Sequence, residues 1–429
     1  MLQGAFMAFS SVFNRSLFAG TALVCALALP AHAKTFVFGS DAKPTASAVV
    51  GNAVYDPAAG FGVEGTAPLL QKQSANGAFY YSVDVPEGNY KVTVTFGGDQ
   101  ASETTVKAEL RRLMLERVKV PAKGSVTKTF IVNVRTPVYP GGKVKLKVPR
   151  EVETEARAWD ARLTLEFNGT PAVRAITVEP VTVPTLYVLG DSTVCDQSGE
   201  PYASWGQMLP RFFKPTVAVA NHGESGESTF SSKGANRFDK IISLIKPGDY
   251  FIVQFGHNDQ KSKDADAEPK YKAILIDWAT QVKARGGTAV IVSPMHRNRF
   301  EGGKVTETLG NYPQLAKEAA AESGAIFIDL HDKSRVLYET LGPKAAMALF
   351  MHNEDYSKKD GTHHGPYGAY ELAKIVAQGL REAKAPVASE IVADLPGYDP
   401  SKPLLEKDFK VPPSAAFTTE RPLGVNQEQ

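Results

Sequence analysis

Five short apolar runs between residues 185 and 329 constrain the fold of this chain more than any other feature. Each run is rich in Val, Ile or aromatic residues, and most of the segments between them have the spacing of amphipathic helices. Near-continuous apolar strands that alternate with helices are typical of a parallel sheet covered on both faces. The strand candidates are 185–189, 217–220, 250–255, 288–293 and 325–329, and the helix candidates are 236–246, 270–285, 312–323 and 366–383. The sequence therefore predicts a three-layer α/β/α domain over residues 184–384.

Residues 34–180 have a different pattern, in which many short strand-like runs are separated by turns rich in Pro and Gly. Residues 79–85 and 90–96 flank the turn 86–89, and the second run alternates apolar side chains with Lys and Thr. Further strand candidates are 130–134, 143–148, 163–169 and 175–181, and residues 104–120 are ambiguous between strand and helix. Short alternating strands of this kind predict a β-sandwich.

Both ends of the chain differ from these two predicted domains. Arg15 precedes an apolar run that ends at Ala31-His32-Ala33, an order typical of a secretory signal peptide. The run is shorter than the ~20 apolar residues that cross a bilayer, so residues 1–33 predict a cleaved signal peptide rather than a membrane anchor. Residues 385–429 contain seven prolines and predict a C-terminal tail that wraps the domain or is partly disordered.

The cysteine count and the net charge limit the classes of protein to which this chain can belong. The chain has two cysteines, Cys25 and Cys195, and Cys25 lies in the predicted signal peptide. An exported chain with one remaining thiol and no internal disulfide fits the bacterial periplasm or the extracellular space. The formal net charge is +2 without a basic block, which argues against a nucleic-acid partner and against stable membrane insertion after the signal is removed. The oligomeric state is not predicted.

Polar clusters follow four of the apolar runs. They are residues 190–193 (GDST), 221–226 (NHGESG), 256–259 (GHND) and 294–297 (PMHR). Ligands of open α/β sheets bind beyond the carboxyl ends of the strands. Four clusters that converge on one edge of one sheet therefore predict a functional site there.

Ser192 is the candidate nucleophile of this site. Nucleophilic hydrolysis needs a hydroxyl, a base that takes its proton, a carboxylate that orients the base, and donors for the oxyanion. In the segment DGTHH, Asp360 and His363 are three residues apart, so one turn of chain can bring the carboxylate to the imidazole. We expect the oxyanion donors to be the backbone N–H groups of Ser192 and Gly226 and the side chain of Asn258.

Other residues compete for these roles. Cys195 is a rival nucleophile, but a position on the first helical turn facing the core favours packing. His364 is a rival base, although the D-x-x-H register favours His363. Five further residues, His222, Glu224, His296, His331 and His352, do not have the sequence spacing of metal ligands. The sequence therefore predicts no catalytic metal and no cofactor.

Four residues are candidates for substrate contacts. Trp205 could stack on a sugar, although its helical spacing beside Met208 is more typical of a core residue. His257 could line the pocket or position its loop. Arg297 and Arg299 follow a strand end, where a guanidinium could pair with a sugar carboxylate.

The four blocks together resemble the SGNH, or GDSL, hydrolase superfamily. The resemblance rests on Gly-Asp-Ser at 190–192, the glycine block at 221–228, Gly-His-Asn-Asp at 256–259 and D-x-x-H at 360–363. It implies a flavodoxin-like α/β/α domain, with Ser192, His363 and Asp360 as the triad and with Gly226 and Asn258 as oxyanion donors. GDST, SWGQML at 204–209 and YGAY at 367–370 resemble the bacterial rhamnogalacturonan acetylesterases, which carry an N-terminal β-domain. Residues 34–180 would be that domain, of a galactose-binding-like type.

The resemblance implies an exported carbohydrate esterase that removes acetyl groups from pectic rhamnogalacturonan, with an acetylated polysaccharide or oligosaccharide as its partner. One departure concerns the substrate, because Glu227 stands where fungal members have Arg in Gly-Arg-Ser. Alternatives are a deacetylase of another polysaccharide such as xylan, a short-chain esterase or lipase, and a glycan-binding protein without catalytic activity.

Overall fold

The structure, a computed structural model, describes residues 33–39, 43–45, 48–64 and 79–414. The predicted signal peptide lies outside these residues apart from Ala33, as do residues 415–429 of the predicted tail. No helix of the described ranges is long and apolar enough to cross a membrane.

The described part of residues 34–180 forms two five-stranded sheets that share one apolar core. Its strands are β1 (Lys34–Val37), β2 (Ala48–Val50), β3 (Phe61–Glu64), β4 (Phe79–Asp84), β5 (Gly88–Gly97), β6 (Ser102–Ala108), β7 (Arg112–Val120), β8 (Ser125–Val134), β9 (Val138–Tyr139), β10 (Gly142–Lys143), β11 (Arg162–Gly169) and β12 (Val173–Pro180). One sheet has the order β2-β1-β12-β5-β8 and the other β3-β4-β11-β6-β7, and all pairings within them are antiparallel except β1 with β2. The short strands β9 and β10 form a separate hairpin. Along β5, alternate apolar side chains are buried, so the predicted β-sandwich is confirmed.

The secondary structure of two segments of the sandwich could be assigned only from the three-dimensional structure. Residues 104–120 are two strands, β6 and β7, joined by a turn in which Glu109 and Arg111 have positive φ angles. The predicted strand 143–148 is wrong beyond Lys143. Val144 packs with Leu110 and Trp159 in a small separate cluster, so its apolar alternation serves a loop and not a sheet.

A five-stranded parallel sheet with helices on both faces follows the sandwich, as predicted. Its strands are β13 (Thr185–Gly190), β14 (Ala218–Asn221), β15 (Tyr250–Gln254), β16 (Thr288–Val292) and β19 (Ile326–Ile328) in the order β14-β13-β15-β16-β19, and its helices are α1 (Trp205–Met208), α2 (Thr229–Gly234), α3 (Arg237–Leu244), α4 (Ala267–Ala284), α5 (Tyr312–Ser323), α6 (Leu330–Ala346) and α7 (Pro366–Glu382). Leu186 and Val188 of β13 face a core that includes α1, α6 and α7, whereas Tyr187 and Leu189 face a core that includes α3, α4 and α5.

Two small hairpins and the start of the tail complete the described chain. The hairpins are β17 (Phe300–Glu301) with β18 (Lys304–Val305), and β20 (Phe350–His352) with β21 (Lys359–His364). Residues 385–414 pack against the rest of the molecule. The Phe409 ring lies near Tyr367 and Tyr370, and Ser414 is buried where its hydroxyl accepts hydrogen bonds from Lys107 and Arg111 of the sandwich.

Candidate active site

Ser192 lies in a tight turn at the carboxyl end of β13, which pairs with β14 on one side and β15 on the other. Asp191 shapes this turn, because its Oδ1 accepts hydrogen bonds from the Thr193 backbone N–H at 2.9 Å and from the Thr193 hydroxyl. A side chain at Gly190 would collide with the Gln254 carbonyl, since a Cβ there would lie 2.6 Å from that oxygen. The glycine therefore lets β13 and β15 lie close together immediately before the nucleophile candidate.

A chain of hydrogen bonds connects Ser192, His363 and Asp360. Ser192 Oγ lies 2.8 Å from His363 Nε2, and His363 Nδ1 lies 2.9 Å from Asp360 Oδ2. All three side chains are buried, and Ser192 is 4% exposed. The sequence interpretation placed Asp360 and His363 on one turn, whereas the structure has both in strand β21. There the Asp360 carboxylate folds back over its own backbone and accepts the N–H groups of Thr362 and His363.

These contacts determine the charge of Asp360 and the tautomer of His363. Burial alone would raise the pKa of Asp360, but the hydrogen bonds and charge of His363 hold that pKa well below its usual range. An ionised Asp360 accepts a hydrogen bond from the N–H of His363 Nδ1, so the proton of the neutral imidazole stays on Nδ1 and Nε2 is free to accept the Ser192 proton. This is the arrangement by which a serine hydroxyl becomes a nucleophile.

Gly226 and Asn258 are in loops that contact each other. Gly226 has a φ of +75°, a conformation that glycine adopts without strain. The Asn258 side-chain amide donates to the carbonyl of Glu227 at 3.0 Å, and its oxygen accepts from Lys261 Nζ. The amide of Asn258 is therefore held against the loop that follows β14 and carries Gly226.

Similarity to known proteins identifies the family of this chain. The chain matches the GDSL-like lipase/acylhydrolase family over residues 188–399. It is 37% identical over 218 residues to rhamnogalacturonan acetylesterase RhgT of Bacillus subtilis (strain 168), a match that covers 48% of this chain and 94% of that relative. The chain belongs to the GDSL hydrolase family. As a member, it is a carboxylic ester hydrolase, and it is similar to rhamnogalacturonan acetylesterases.

A second relative is similar to a longer part of this GDSL hydrolase. The uncharacterized esterase YxiM of Bacillus subtilis (strain 168) is 29% identical over 330 residues, which cover 76% of this chain and 80% of that relative. The crystal structure of YxiM aligns with 82% of this chain and 99% of its own, at 26% identity and a TM-score of 0.47.

Of the four predicted substrate contacts, that of Trp205 is wrong, whereas His257 and Arg297 are buried and bonded to protein groups and their contact with substrate stays a prediction. Trp205 is fully buried and donates its indole N–H to Gln254, so it offers no face to a sugar. His257 donates from Nε2 to the Met295 carbonyl, and its Nδ1 faces Asp191 Oδ2 at 3.6 Å. Arg297 bonds the Thr362 hydroxyl and the Thr308 carbonyl. Arg299 is exposed, and its predicted contact with substrate stays a prediction.

The two rival residues have other partners in the GDSL hydrolase. Cys195 is buried beside the Ser225 hydroxyl, and burial raises the pKa of its thiol far above the ordinary value, which keeps it protonated. His364 points away from Ser192, because its Nε2 lies 2.8 Å from the Tyr338 hydroxyl. Adjacent residues of a strand face opposite sides, so β21 presents only His363 to the nucleophile.

The sandwich supports the turn that carries Ser192. Arg111 donates to the carbonyls of Gln197 and Tyr202 at 3.1 and 3.0 Å and pairs with the buried carboxylate of Glu200. Gln197 in turn donates from its side chain to the Ser192 carbonyl at 2.6 Å. The turn between β6 and β7 is therefore two hydrogen bonds away from the nucleophile candidate. This role was not predicted from the sequence, because Arg111 lies in the ambiguous segment, 86 and 91 residues before Gln197 and Tyr202.

A second group of charged residues in the sandwich supports the loop that carries Gly226. Lys147 bonds the Ser225 carbonyl and pairs with Glu227 at 3.0 Å. Arg150 donates to the Ser225 hydroxyl at 3.1 Å and lies 3.7 Å from Glu224. The loop that contains Lys147 and Arg150, part of which was wrongly predicted as a strand, therefore holds residues on both sides of Gly226.

Glu224 should make stability depend on pH. The carboxyl group of Glu224 forms a hydrogen bond with the Glu155 side chain. Burial, followed by the negative charges of Glu155 and Glu151, raises the pKa of Glu224 well above its ordinary value. The folded state then binds this proton more tightly than the unfolded chain, so this contribution to stability is complete below the unfolded pKa and is lost as pH rises. Glu224→Gln, which cannot ionise, should flatten the decline of the free energy of unfolding as pH rises above the ordinary pKa of a glutamate.

Urea unfolding at several pH values measures this effect. Glu322→Gln is the control, because it removes the same charge from an exposed side chain that pairs with Lys272. Equal slopes against pH in wild type and Glu224→Gln would contradict the raised pKa of Glu224.

Proposed function

We propose that this GDSL hydrolase is an exported carbohydrate esterase that removes O-acetyl groups from pectic rhamnogalacturonan. The observation that carries the catalytic part is the chain of hydrogen bonds from Ser192 Oγ through His363 to Asp360 at the carboxyl edge of the parallel sheet. The substrate part rests on the similarity to rhamnogalacturonan acetylesterase RhgT, of which the chain covers nearly the whole length. Export rests on the signal-like sequence of residues 1–33.

In the proposed mechanism, Ser192 Oγ gives its proton to His363 Nε2 and bonds to the acetyl carbonyl carbon. The carbonyl oxygen becomes an oxyanion, which the N–H groups of Ser192 and Gly226 and the amide of Asn258 stabilise. His363 then gives its proton to the departing sugar oxygen, and an acetyl-enzyme remains. Water, deprotonated by His363, attacks this ester, and acetate leaves as the proton returns to Ser192.

The burial of Ser192 fits a small acyl group. Its side chain is 4% exposed, and the ring of Tyr202 packs edge-on to His363 with centroids 6.0 Å apart. An acetyl group needs little space at the nucleophile, whereas a long acyl chain needs an apolar channel. Phe230, 72% exposed on α2 four residues after Gly226, offers a ring on which a sugar could stack.

Acetate release tests this proposal with three substrates: acetylated rhamnogalacturonan, acetylated xylan and an aryl acetate. Wild type should release acetate from the pectic polymer, and Ser192→Ala should lower kcat by about 10⁶-fold. Ser243→Ala is the control, because this serine in α3 donates to the carbonyl of Lys240.

Other patterns of acetate release would change the proposed substrate or the proposed mechanism. Release from xylan alone would change the substrate, and release from the aryl acetate alone would leave the reaction without a polymer substrate. Unchanged activity in Ser192→Ala would refute the mechanism, and no release from any substrate would favour a glycan-binding protein.

A further inference from the structure

Three potential metal ligands come together beside the active site, although their sequence spacing hides them. His296 is in the loop after β16, Glu307 follows β18, and His331 is in the first turn of α6. Among the described residues, these form a group in which one ligand atom from each side chain lies within 4.8 Å of the others. None of the three is part of the chain of hydrogen bonds at Ser192.

The hydrogen bonds of His331 call for a cation at this group. His331 Nδ1 lies 2.9 Å from the Pro294 carbonyl, which can only accept, so Nδ1 carries a proton. His331 Nε2 lies 2.8 Å from the Glu307 carboxylate. In a neutral imidazole this Nε2 is also an acceptor. Two acceptors at that distance repel each other unless a proton or a metal ion lies between them.

His296 supplies a second, independent observation. Its side chain is 4% exposed, and its Nδ1 has no hydrogen-bond partner. The ring lies against the His331 ring with centroids 3.6 Å apart. A buried imidazole nitrogen without a partner is costly, and a metal bond would satisfy it.

We propose that His296, His331 and Glu307 bind one divalent metal ion, with Zn²⁺ as the expected ion. Two imidazoles and one carboxylate are a donor set that zinc takes in tetrahedral sites with a fourth position for water. Glu307 has a side chain that is 48% exposed, so water reaches this position. Zinc bonds of about 2.0–2.1 Å hold ligand atoms roughly 3.3 Å apart, and side-chain rotations that tilt the stacked rings apart would reach this spacing.

The hydrogen bond from His331 Nδ1 to the Pro294 carbonyl resembles the outer contacts that orient metal-bound imidazoles. The ion would connect three separate segments: the loop after β16, the residues after β18 and the start of α6. The loop after β16 also contacts the active site, because Met295 accepts from His257 and Arg297 bonds Thr362, next to His363. The ion therefore positions this loop and stabilises the fold, and it takes no part in ester cleavage.

Calorimetric titration with ZnCl₂ tests the site. The full chain is purified without a histidine tag, treated with EDTA and dialysed. Wild type should bind one Zn²⁺ per chain, with a higher Tm when loaded. Glu307→Gln and His331→Gln should each weaken Zn²⁺ binding by about tenfold or more. His352→Gln is the matched control, since this histidine stacks on Tyr356 outside the group and should leave Zn²⁺ binding unchanged.

Two readouts separate a lost site from a lost fold. Circular dichroism and aryl acetate hydrolysis check that each variant is folded, and Co²⁺ in place of Zn²⁺ should give visible absorption bands that both ligand variants lose. No Zn²⁺ uptake by wild type would overturn the proposal and leave a proton as the cation between His331 and Glu307. Uptake that Glu307→Gln and His331→Gln both retain at wild-type affinity would also overturn it.

Discussion

Replacing His363 by glutamine should lower kcat for ester hydrolysis by about 10⁴- to 10⁶-fold, with little change in Tm. His363 Nε2 lies 2.8 Å from Ser192 Oγ, and Nδ1 lies 2.9 Å from the Asp360 carboxylate. A glutamine amide at this position can still donate to Asp360, so the hydrogen bond to β21 is kept. It has no basic nitrogen at neutral pH, so the Ser192 proton has no acceptor. Steady-state kinetics on an aryl acetate and thermal unfolding measure the two effects.

The neighbouring histidine is the matched control. His364 is buried on the other side of β21, where it contacts the Tyr338 hydroxyl, and burial lowers its pKa to about 3. His364→Gln should therefore lower the free energy of unfolding by about 1–3 kcal/mol through a poorly satisfied buried group, while kcat stays within about tenfold. The opposite pattern, in which His364→Gln removes activity and His363→Gln does not, would overturn the assignment of the base.

Arg111→Met should be among the most destabilising single substitutions in the sandwich, by about 3–5 kcal/mol in the free energy of unfolding. The guanidinium is buried beside Glu200, whose other cation, Lys107, is 3.7 Å away. Methionine keeps most of the apolar stem but leaves the carboxylate without its closest partner. Activity should fall as well, because the Gln197 and Tyr202 carbonyls lose the hydrogen bonds from Arg111 and the segment after Ser192 is held less firmly. Urea unfolding and kcat measure both effects.

Two further variants isolate the cause. Arg117→Met removes another arginine close by in the sandwich, one that pairs with Glu103 where both side chains are about one-third exposed, and it should cost less than about 1 kcal/mol. The double variant Arg111→Met/Glu200→Gln should lose less stability than the sum of the two single losses, because both substitutions remove the same ion pair. Equal losses for Arg111→Met and Arg117→Met would show that burial of the pair is not the cause.

The sheets could be predicted because their signals are local. The alternation along β5 and the near-continuous apolar runs of β13 and β15 depend on which faces of a strand are buried, and each run shows this by itself. Helix α6 was not predicted, because its apolar positions are few and Gly342, with a φ of +74°, interrupts it. Residues 143–148 have strand-like alternation, but their partners are distant in the chain and belong to a loop cluster.

The same distinction between local signals and long-range contacts applies to the side chains around the site. Ser192, His363 and Asp360 could be singled out because each stands in a short motif that follows a strand or precedes a helix. The helical spacing of Trp205 already favoured the core, but the burial of His257 and Arg297 could not be foreseen, because a polar residue at a strand end faces either the cleft or the core, and packing alone decides which. The group of His296, Glu307 and His331 was missed because its members are 11 and 24 residues apart, unlike the short spacings that indicate a metal site.

By itself the sequence determined the two architectures, the family and the three residues proposed as the triad, because period, strand ends and motif order are properties of consecutive residues. The tertiary structure decided how the sandwich and the sheet work together. Arg111, Lys147 and Arg150 reach loops some 75 to 90 residues away, and their buried charges are stable only because the fold supplies carboxylates and carbonyls around them. Contacts of this range depend on the complete packing of the chain, which no local pattern encodes.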